Sequence, residues 1–315
     1  MILKAKPKLL IVGGTGFIGY HLALEAKKRG WNVSSLSLNN PKKNRYIKGV
    51  NYLRCDVGNL NLLKKVLKGS YTYVVNLGGY VMHSFFSDKK TPIIKTHFIG
   101  LINLTKILSK RKIKKFIQIG SSMEYGDAQS PQKENIHGLP NSTYALAKLG
   151  STQFLLTLYK TKKFPVTILR FFQVYGPKQD QNRIVPQIIT GCLSGKKFPT
   201  SEGNQIRDFC YIDDVINAIF LSLKSSRTSG EIFNIGFGKP IKIRTVINKI
   251  RKILGKGKPQ FGKVKYRKDE NMKLYPNIKK AKKKLKWKPQ INFNSGVKTV
   301  IDTFRNKNEK TVNNH

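Results

Sequence analysis

Acidic residues are scarce in this chain. Its 315 residues include 16 Asp+Glu against 60 Lys+Arg, which gives a formal net charge of +44. A protein this basic associates with anionic surfaces in low salt, so a nucleic acid or membrane partner is one interpretation. The lysines are spread along the whole chain, however, and few aromatic residues interleave with the dense group at 279–284 to form a stacking platform for bases. We therefore interpret them as solvated and do not expect a nucleic acid partner.

Cysteine is also sparse, with three residues (Cys55, Cys192 and Cys210) and no CxxC spacing. This pattern argues against a zinc site or a disulfide framework, and it favours a reducing, cytoplasmic location. No apolar run approaches the length that spans a bilayer, and the first residues run straight into a glycine-rich loop, so we expect no signal peptide. Hydrophobic content of 39% nevertheless fits a globular protein with a sizeable core.

Short apolar runs alternate with helical patterns through the first half of the chain. This alternation predicts a doubly wound parallel sheet with helices on both faces, an α/β Rossmann fold that binds ligands at the carboxyl ends of its strands. Strands are predicted at 8–12, 31–36, 52–55, 72–77, 116–119 and 166–170, and helices at 17–29, 60–67, 92–110 and 143–159.

The order of elements changes after residue 170, where turn residues become frequent. Helices are predicted at 184–193 and 212–223, and one strand at 232–235. We expect a dinucleotide-binding domain over residues 1–176, with return segments near 209–238. The remainder, 177–315, is expected to form a smaller, discontinuous α/β substrate-binding domain.

A glycine-rich loop follows the first predicted strand and opens the first predicted helix. Its glycines are Gly13, Gly16 and Gly19. Glycine permits the tight turn and the close approach of the backbone to a pyrophosphate, and the helix N-terminus offers oriented N–H groups. In this strand-loop-helix context the spacing predicts a dinucleotide site, to which Phe17 and Ile18 also belong.

Three motifs in this order resemble those of one known family. They are the glycine loop, the pair Tyr144/Lys148 within YALAK, and the segment 207–214 (RDFCYIDD). The combination is similar to the extended short-chain dehydrogenase/reductases, and more closely to their NAD(P)-dependent nucleotide-sugar epimerase/dehydratase branch. Segment 285–289 (LKWKP) resembles the C-terminal LGWxP of that branch, so the likeness covers nearly the whole chain. It implies a nucleotide-diphosphate sugar as substrate and a homodimer in which the helices predicted at 92–110 and 143–159 pair across subunits.

The choice of cofactor depends on the end of the second predicted strand. An acid there would accept the adenosine ribose hydroxyls, but the position falls on Ser37, and Asn39, Lys42, Lys43 and Arg45 follow. The missing acid favours NADP(H) slightly over NAD(H). The resemblance also implies that Asp56 contacts the adenine amino group, with Val57 beside it.

Tyr144 and Lys148 are four residues apart on a predicted helix and therefore share a face. We expect the lysine ammonium and the positive ring of an oxidised nicotinamide to favour the phenolate, which makes Tyr144 an acid/base for a carbinol–carbonyl interconversion. Lys148 would also hold the ribose. The resemblance gives Ser121 as the third catalytic hydroxyl, and Ser122 takes that place if the alignment slips by one residue.

The resemblance also implies the residues that hold the substrate. Arg207 and Arg267 would bind the diphosphate, since guanidinium groups suit phosphate oxygens. Gln173 stands where the family usually has asparagine, and it would reach a diphosphate or sugar hydroxyl. Glu124 either contacts substrate or faces solvent beside a basic surface. His83 lies on a loop that borders the sugar in the family, although a solvent-exposed histidine is the favoured interpretation.

The leading functional hypothesis is hydride transfer at C4 of a nucleotide-diphosphate hexose. Reduction of a 4-keto sugar by NADPH is favoured, 4-epimerisation is the alternative, and a non-catalytic nucleotide- or RNA-binding protein is a remote third. The family's 4,6-dehydratases follow the catalytic hydroxyl with an Asp-Glu pair, where this chain has Ser122 and Met123, or Met123 and Glu124 after a one-residue slip. A thioether cannot protonate a leaving hydroxyl, so dehydration is disfavoured.

Overall fold

The central sheet and its helices follow the predicted alternation. A computed structural model describes residues 5–79, 91–267 and 270–312. Its larger strands are β1 (Lys8–Val12), β2 (Asn32–Ser37), β3 (Asn51–Arg54), β4 (Tyr73–Asn76), β5 (Lys115–Ser121) and β6 (Val166–Phe171). Further along lie β7 (Gln173–Tyr175), β8 (Lys197–Pro199), β9 (Ile206–Arg207), β10 (Phe209–Tyr211), β11 (Glu231–Ile235), β12 (Ile241–Lys242), β13 (Lys258–Gln260) and β14 (Lys273–Leu274). Seven of these strands form one parallel sheet in the order β11-β6-β5-β4-β1-β2-β3, which confirms the Rossmann-type α/β fold.

Helices cover both faces of this sheet. They are α1 (Phe17–Lys28), α2 (Leu60–Val66), α3 (Thr91–Ile94), α4 (Gly100–Leu108), α5 (Thr143–Lys162), α6 (Ile184–Leu193), α7 (Ile212–Lys224), α8 (Ile243–Leu254) and α9 (Phe293–Val312). Buried side chains of α1 and α7 pack on one face, and those of α2, α4 and α5 pack on the other. No helix among the described residues is long and apolar enough to cross a membrane.

The helix predicted at 92–110 is not one continuous α-helix. A π-helical turn, Lys95–Ile99, separates α3 from α4 and carries the buried His97. The hydrophobic period of the sequence could not reveal this, because one wider turn changes the register by a single residue and leaves the apolar stripe nearly intact.

The later segments return to the central sheet and also build a smaller layer. β11 pairs with β6 in the central sheet. The remaining strands form short sheets: β10 with β7, β12-β9-β14, and β13 with β8. One apolar cluster runs from Leu9 in the sheet through Ile188 of α6 to Val300 of α9, so the two parts share a core. The domain boundary at 176 stays a prediction.

Two acids of the RDFCYIDD segment hold distant backbone. The Asp208 carboxylate accepts hydrogen bonds from the N–H groups of Phe237 and Gly238. The Asp214 carboxylate accepts from the N–H groups of Gln290, at 2.8 Å, and Ile291, at 3.0 Å. Trp287 of the LKWKP segment donates its Nε1–H to the Asp214 carbonyl, so these two motifs contact each other and close the C-terminal part onto α7.

We expect Lys115, at the amino end of β5, to make the free energy of unfolding depend on pH. It is 2% exposed, its Nζ donates to Ser229 Oγ at 2.7 Å, and burial lowers its pKa to about 8. In the unfolded chain the lysine pKa is about 10.4, so between about pH 8 and pH 10.4 the unfolded state binds more protons than the folded state. The free energy of unfolding should therefore rise with pH over this range, and Lys115 should contribute up to about 3 kcal/mol to the rise.

We expect Lys115→Met to remove that rise. Urea unfolding at several pH values between about 7 and 10 should show the stability of the variant, relative to the native protein, falling as pH increases. The exposed neighbour Lys114 offers the control Lys114→Met, whose stability should run parallel to the native curve. Parallel curves for Lys115→Met as well would contradict the lowered pKa.

Candidate active site

The glycine loop has room only for glycine at two of its positions. Gly13 has φ +79°, and a Cβ there would lie 2.9 Å from the Leu77 carbonyl oxygen at the end of the neighbouring β4. A Cβ at Gly19 would collide with the Gly13 carbonyl, so the absence of side chains lets α1 pack closely on the loop. This is the close helix–strand packing that a dinucleotide-binding turn requires.

The first turn of α1 is arranged to receive an anion. Gly16 is the N-cap residue and supplies no side-chain hydrogen bond to the helix, and Phe17 and Ile18 are the first helical residues. The first N–H groups of a helix have no intrahelical partner, and together with the helix dipole they favour a phosphate. The glycine loop therefore fits a dinucleotide pyrophosphate.

The residues expected near the adenosine lie at the carboxyl ends of β2 and β3. Ser37 ends β2, and its Oγ accepts the Thr15 N–H at 3.3 Å. Asp56 lies two residues beyond β3, where its Oδ1 accepts the Gly58 N–H at 2.8 Å. Val57 is buried. Ser37 is thus tied to the glycine loop itself.

Two cations expected to favour a 2′-phosphate are held by other groups. Lys42 Nζ lies 2.9 Å from Asp180 Oδ1, and Arg45 lies 3.1 Å from the same atom. Arg45 is buried and also donates to the Lys178 carbonyl. The argument for NADP(H) consequently depends on Ser37 rather than on these side chains.

The structure brings Tyr144, Lys148 and Ser121 together at the end of β5. Tyr144 and Lys148 lie one turn apart near the start of α5, and both are buried. The Ser121 side chain acts to lower the pKa of Tyr144, and Lys148 Nζ donates to the Ile119 carbonyl at 2.8 Å. The Lys148 Nζ lies 5.9 Å from the centroid of the Tyr144 ring.

Burial shifts the pKa values of both members of this pair. Burial raises the pKa of Tyr144 to about 12, with the Ser121 side chain acting in the opposite direction. Burial also lowers the pKa of Lys148 to about 8. Burial therefore favours the protonated phenol of Tyr144. The expectation that the lysine ammonium and the positive nicotinamide ring together favour the phenolate concerns the site with an oxidised cofactor, and it stays a prediction.

The GSSMEYG segment forms the end of β5 and the turn after it, and the choice between Ser121 and Ser122 as the catalytic hydroxyl stays a prediction. Ser121 forms the N-cap of the 3₁₀ turn Ser122–Tyr125, and its Oγ accepts the Met123 N–H at 3.2 Å. The Ser121 side chain acts on the pKa of Tyr144, and the next residue, Ser122, is buried. Met123 packs against an apolar cluster that contains Tyr144.

Glu124 does not face solvent, which corrects one of the two expectations for this residue. It is 1% exposed, and its carboxylate accepts from the Ser121 N–H, the Thr152 hydroxyl and Arg170 Nε. Sequence reasoning missed this because Arg170 arrives from β6, 46 residues further along the chain. The buried carboxylate therefore bonds to the Ser121 backbone and to two side chains rather than to solvent.

The two arginines expected to bind phosphate share one carboxylate. Arg207 of β9 is 7% exposed and donates to Glu270 Oε1, while Arg267 Nε lies 3.0 Å from Glu270 Oε2. Glu270 carried no signal in the sequence. Gln173, in β7, is half-buried, and its N–H donates to the carbonyl of Asp208, the residue that follows Arg207.

Two further residues act on Tyr144, His97 by ring packing and Arg183 through its charge, and neither was given a role from sequence. The His97 ring packs edge-to-face on Tyr144, with 5.1 Å between centroids. Arg183, the N-cap residue of α6, carries a charge that acts to lower the pKa of Tyr144. His83 lies outside the described residues.

The strand order of the central sheet and the glycine loop together define a dinucleotide-binding α/β protein. Residues 9–236 match the model of the NAD dependent epimerase/dehydratase family, and the chain belongs to that family. This confirms the resemblance to the extended short-chain dehydrogenase/reductases.

Relatives of the chain carry out different reactions. It is 27% identical over 311 residues to a UDP-glucuronate 4-epimerase of Thermodesulfobacterium geofontis, covering 93% of this chain and 94% of that protein. It is 29% identical over 270 residues to a dTDP-D-glucose 4,6-dehydratase of Dictyostelium discoideum, covering 77% and 61%. A solved structure of the UDP-glucuronic acid 4-epimerase from Bacillus cereus, in complex with UDP-glucuronic acid and NAD, superposes with a TM-score of 0.84 at 25% identity over 95% of this chain and 99% of that one.

Proposed function

We propose that the protein transfers a hydride at C4 of a nucleotide-diphosphate hexose, with reduction of a 4-keto sugar as the net reaction. The observation that carries this proposal is the buried Tyr144 at the end of β5, one helical turn from the buried Lys148 and next to Met123 of the Ser121 turn. Burial raises the pKa of Tyr144 and so favours the protonated phenol. Reduction of a ketone requires such a proton donor, whereas oxidation requires the phenolate.

Each residue of the site then has one task. When bound, the nicotinamide dinucleotide supplies the hydride. Ser121 and Tyr144 hydrogen-bond the carbonyl oxygen at C4, and Tyr144 gives its proton to that oxygen as the carbon is reduced, which leaves a hydroxyl. Lys148 holds the cofactor ribose. Arg207 and Arg267 bind the substrate diphosphate in place of Glu270.

Dehydration is not part of this proposal. A 4,6-dehydratase among the relatives means that family membership alone leaves the reaction open. The residues support the narrower statement: Ser122 and Met123 follow Ser121, and the Glu124 carboxylate is engaged by Arg170 and Thr152. No acid–base pair for removing water is then presented by this turn.

A 4-epimerase is the second candidate. The epimerase of T. geofontis matches nearly the whole length of both chains, which favours it. The same hydroxyls and lysine would serve. The cofactor must, however, stay bound between the two half-reactions, and the ketone intermediate must rotate within the site before the hydride returns.

A panel of sugar nucleotides with NADPH and with NADH separates these candidates. Net oxidation of NADPH with a 4-keto substrate supports the reductase. Cofactor that survives gel filtration, with interconversion of isomers and no net oxidation, supports the epimerase instead. Failure on every sugar nucleotide, together with steeply salt-dependent RNA binding, would contradict both.

The preference for NADPH can be tested at Ser37. We expect Ser37→Asp to raise the Kd for NADPH at least about tenfold, because a carboxylate next to the 2′-phosphate repels it, while NADH binding is kept. Fluorescence titration measures both constants, and Ser37→Ala is the uncharged control. A native protein that binds NADH more tightly than NADPH would contradict the proposed preference.

The homodimer also stays a proposal. Ile99, at the end of the π-helical turn, and Leu146 of α5 are 41% and 44% exposed. Large apolar side chains exposed on these helices support their pairing in a second copy of the chain, which light scattering in solution would detect.

A further inference from the structure

We propose that Glu124 is a positioning residue for the proposed hydride transfer: it fixes Ser121 against α5 and carries the buried negative charge of the site, without touching substrate. The inference rests on the proposed function. Three independent features of the structure support it, and these are the bonds of the carboxylate, the space that it fills and its effect on the two titrating groups of the site.

The Glu124 carboxylate joins three elements. Its Oε1 accepts the Ser121 N–H at 2.7 Å, at the end of β5. Its Oε2 accepts the Thr152 hydroxyl at 2.7 Å, from α5, and Arg170 Nε at 2.9 Å, from β6. Both oxygens are therefore engaged by protein donors, and the side chain is fully buried.

The elements joined in this way carry the catalytic groups. Tyr144, Lys148 and Thr152 are spaced four residues apart on α5, so they lie along one face of the helix. The bond from Thr152 thus fixes the helix face that carries Tyr144 and Lys148. The bond from the Ser121 N–H fixes the strand end that carries the partner hydroxyl.

The space around the carboxylate is provided by a missing side chain. A Cβ at Gly120 would collide with Glu124 Oε1 and would lie 3.0 Å from Arg170 Cγ. Arg170 is itself 1% exposed, and its guanidinium lies 4.5 Å from the centroid of the Tyr125 ring. The backbone at residue 120 and the Arg170 side chain together form a closed compartment for one carboxylate.

The charge also acts on the titration of the site. Burial lowers the pKa of Lys148 to about 8, and Glu124 opposes this fall. Burial raises the pKa of Tyr144 to about 12, the Ser121 side chain and Arg183 oppose the rise, and Glu124 adds to it. His97 also faces Tyr144. Glu124 thereby favours an ammonium at Lys148 and a phenol at Tyr144, the pair of states that ketone reduction uses.

Glu124→Gln is the single substitution that tests the positioning role most directly. A glutamine amide offers one acceptor, so whichever way it turns, an N–H of the amide faces the Ser121 N–H or Arg170 Nε and one donor is left without a partner. We expect kcat to fall about 100-fold, because a small misplacement of catalytic groups has that effect, with KM and the Kd for NADPH within about twofold of native. The basic limb of the pH–rate profile should move to lower pH, since the pKa of Lys148 falls.

A second pair of variants separates positioning from folding. Removal of one partner of a buried ion pair destabilises a protein strongly, whereas replacement of both partners by apolar residues is often tolerated. Glu124→Met with Arg170→Met should therefore fold and should still lose kcat, because the Ser121 N–H and the Thr152 hydroxyl have lost their acceptor. Glu231→Gln, at the opposite end of the sheet, is the matched control and should keep both kcat and the pH profile, since Glu231 pairs with Lys280 and Lys284.

One readout does not depend on turnover. In protein labelled with carbon-13 at the tyrosine ζ position, the resonance that is absent from Tyr144→Phe is the resonance of Tyr144. The pH midpoint of its titration should be lower in Glu124→Gln than in the native protein. A native kcat in Glu124→Gln, or a loss that is equal at every pH and matches the unfolded fraction, would overturn the inference. If the native protein turns over no sugar nucleotide, the proposed function fails, and an unmoved Tyr144 midpoint would then overturn this inference separately.

Discussion

Replacement of Tyr144 by phenylalanine is expected to lower kcat about 1,000-fold, because general acid catalysis by a positioned side chain contributes on this scale. The variant loses only the hydroxyl, while the ring keeps its packing against His97 and Met123. Dinucleotide binding should therefore stay within about twofold of native. Initial rates of NADPH oxidation and a fluorescence titration measure the two quantities.

The same helix provides the control for this prediction. Tyr159, near the other end of α5, lies against Gly230 rather than the catalytic groups, so Tyr159→Phe should keep native kcat. Turnover by Tyr144→Phe within about tenfold of native would show that another group delivers the proton, and it would remove Tyr144 from the proposed mechanism.

Trp287→Ala is expected to lower the free energy of unfolding by about 4 kcal/mol, the largest stability effect that we predict. Trp287 is 1% exposed in the main apolar cluster, and its Nε1–H donates to the Asp214 carbonyl. The change leaves a cavity and an unpaired carbonyl where the C-terminal part closes onto α7. Urea unfolding at constant pH measures the loss.

Two further variants test where that loss of stability comes from. Trp287→Phe keeps most of the buried apolar volume but removes the donor, so a loss of about 1 kcal/mol is expected. Lys288→Ala, at the exposed next residue, should stay within about 0.5 kcal/mol of native. A loss below about 1 kcal/mol for Trp287→Ala would mean that the segment 285–289 is not part of the folding core.

Local and periodic features of the fold were predictable from the sequence. The strands β1, β5 and β6 are short apolar runs, and the glycine loop between β1 and α1 has a spacing that few other structures require. Tyr144 and Lys148 could be placed on one face because helical spacing is fixed. The family match over residues 9–236 confirms the interpretation of these motifs.

Features that depend on contacts between distant residues were not predictable. Glu124 meets Arg170, Arg207 meets Glu270, and Arg45 meets Asp180 only after the chain has folded. Each pairing changes the role of a charge that the sequence presents as solvated. Likewise, the pKa of Tyr144 is raised by burial, which the sequence alone could not show.

The most direct test of hydride transfer at C4 uses NADPH deuterated at the transferring position of the nicotinamide. The protein is incubated with this cofactor and a nucleotide-diphosphate 4-keto-6-deoxyhexose, and the product is analysed by NMR and mass spectrometry. The proposed mechanism predicts one deuteron per product molecule, bound to C4 of the sugar, and no label in the product with Tyr144→Phe on the same time scale. Deuterium at any other carbon, or native turnover without incorporation, would contradict it.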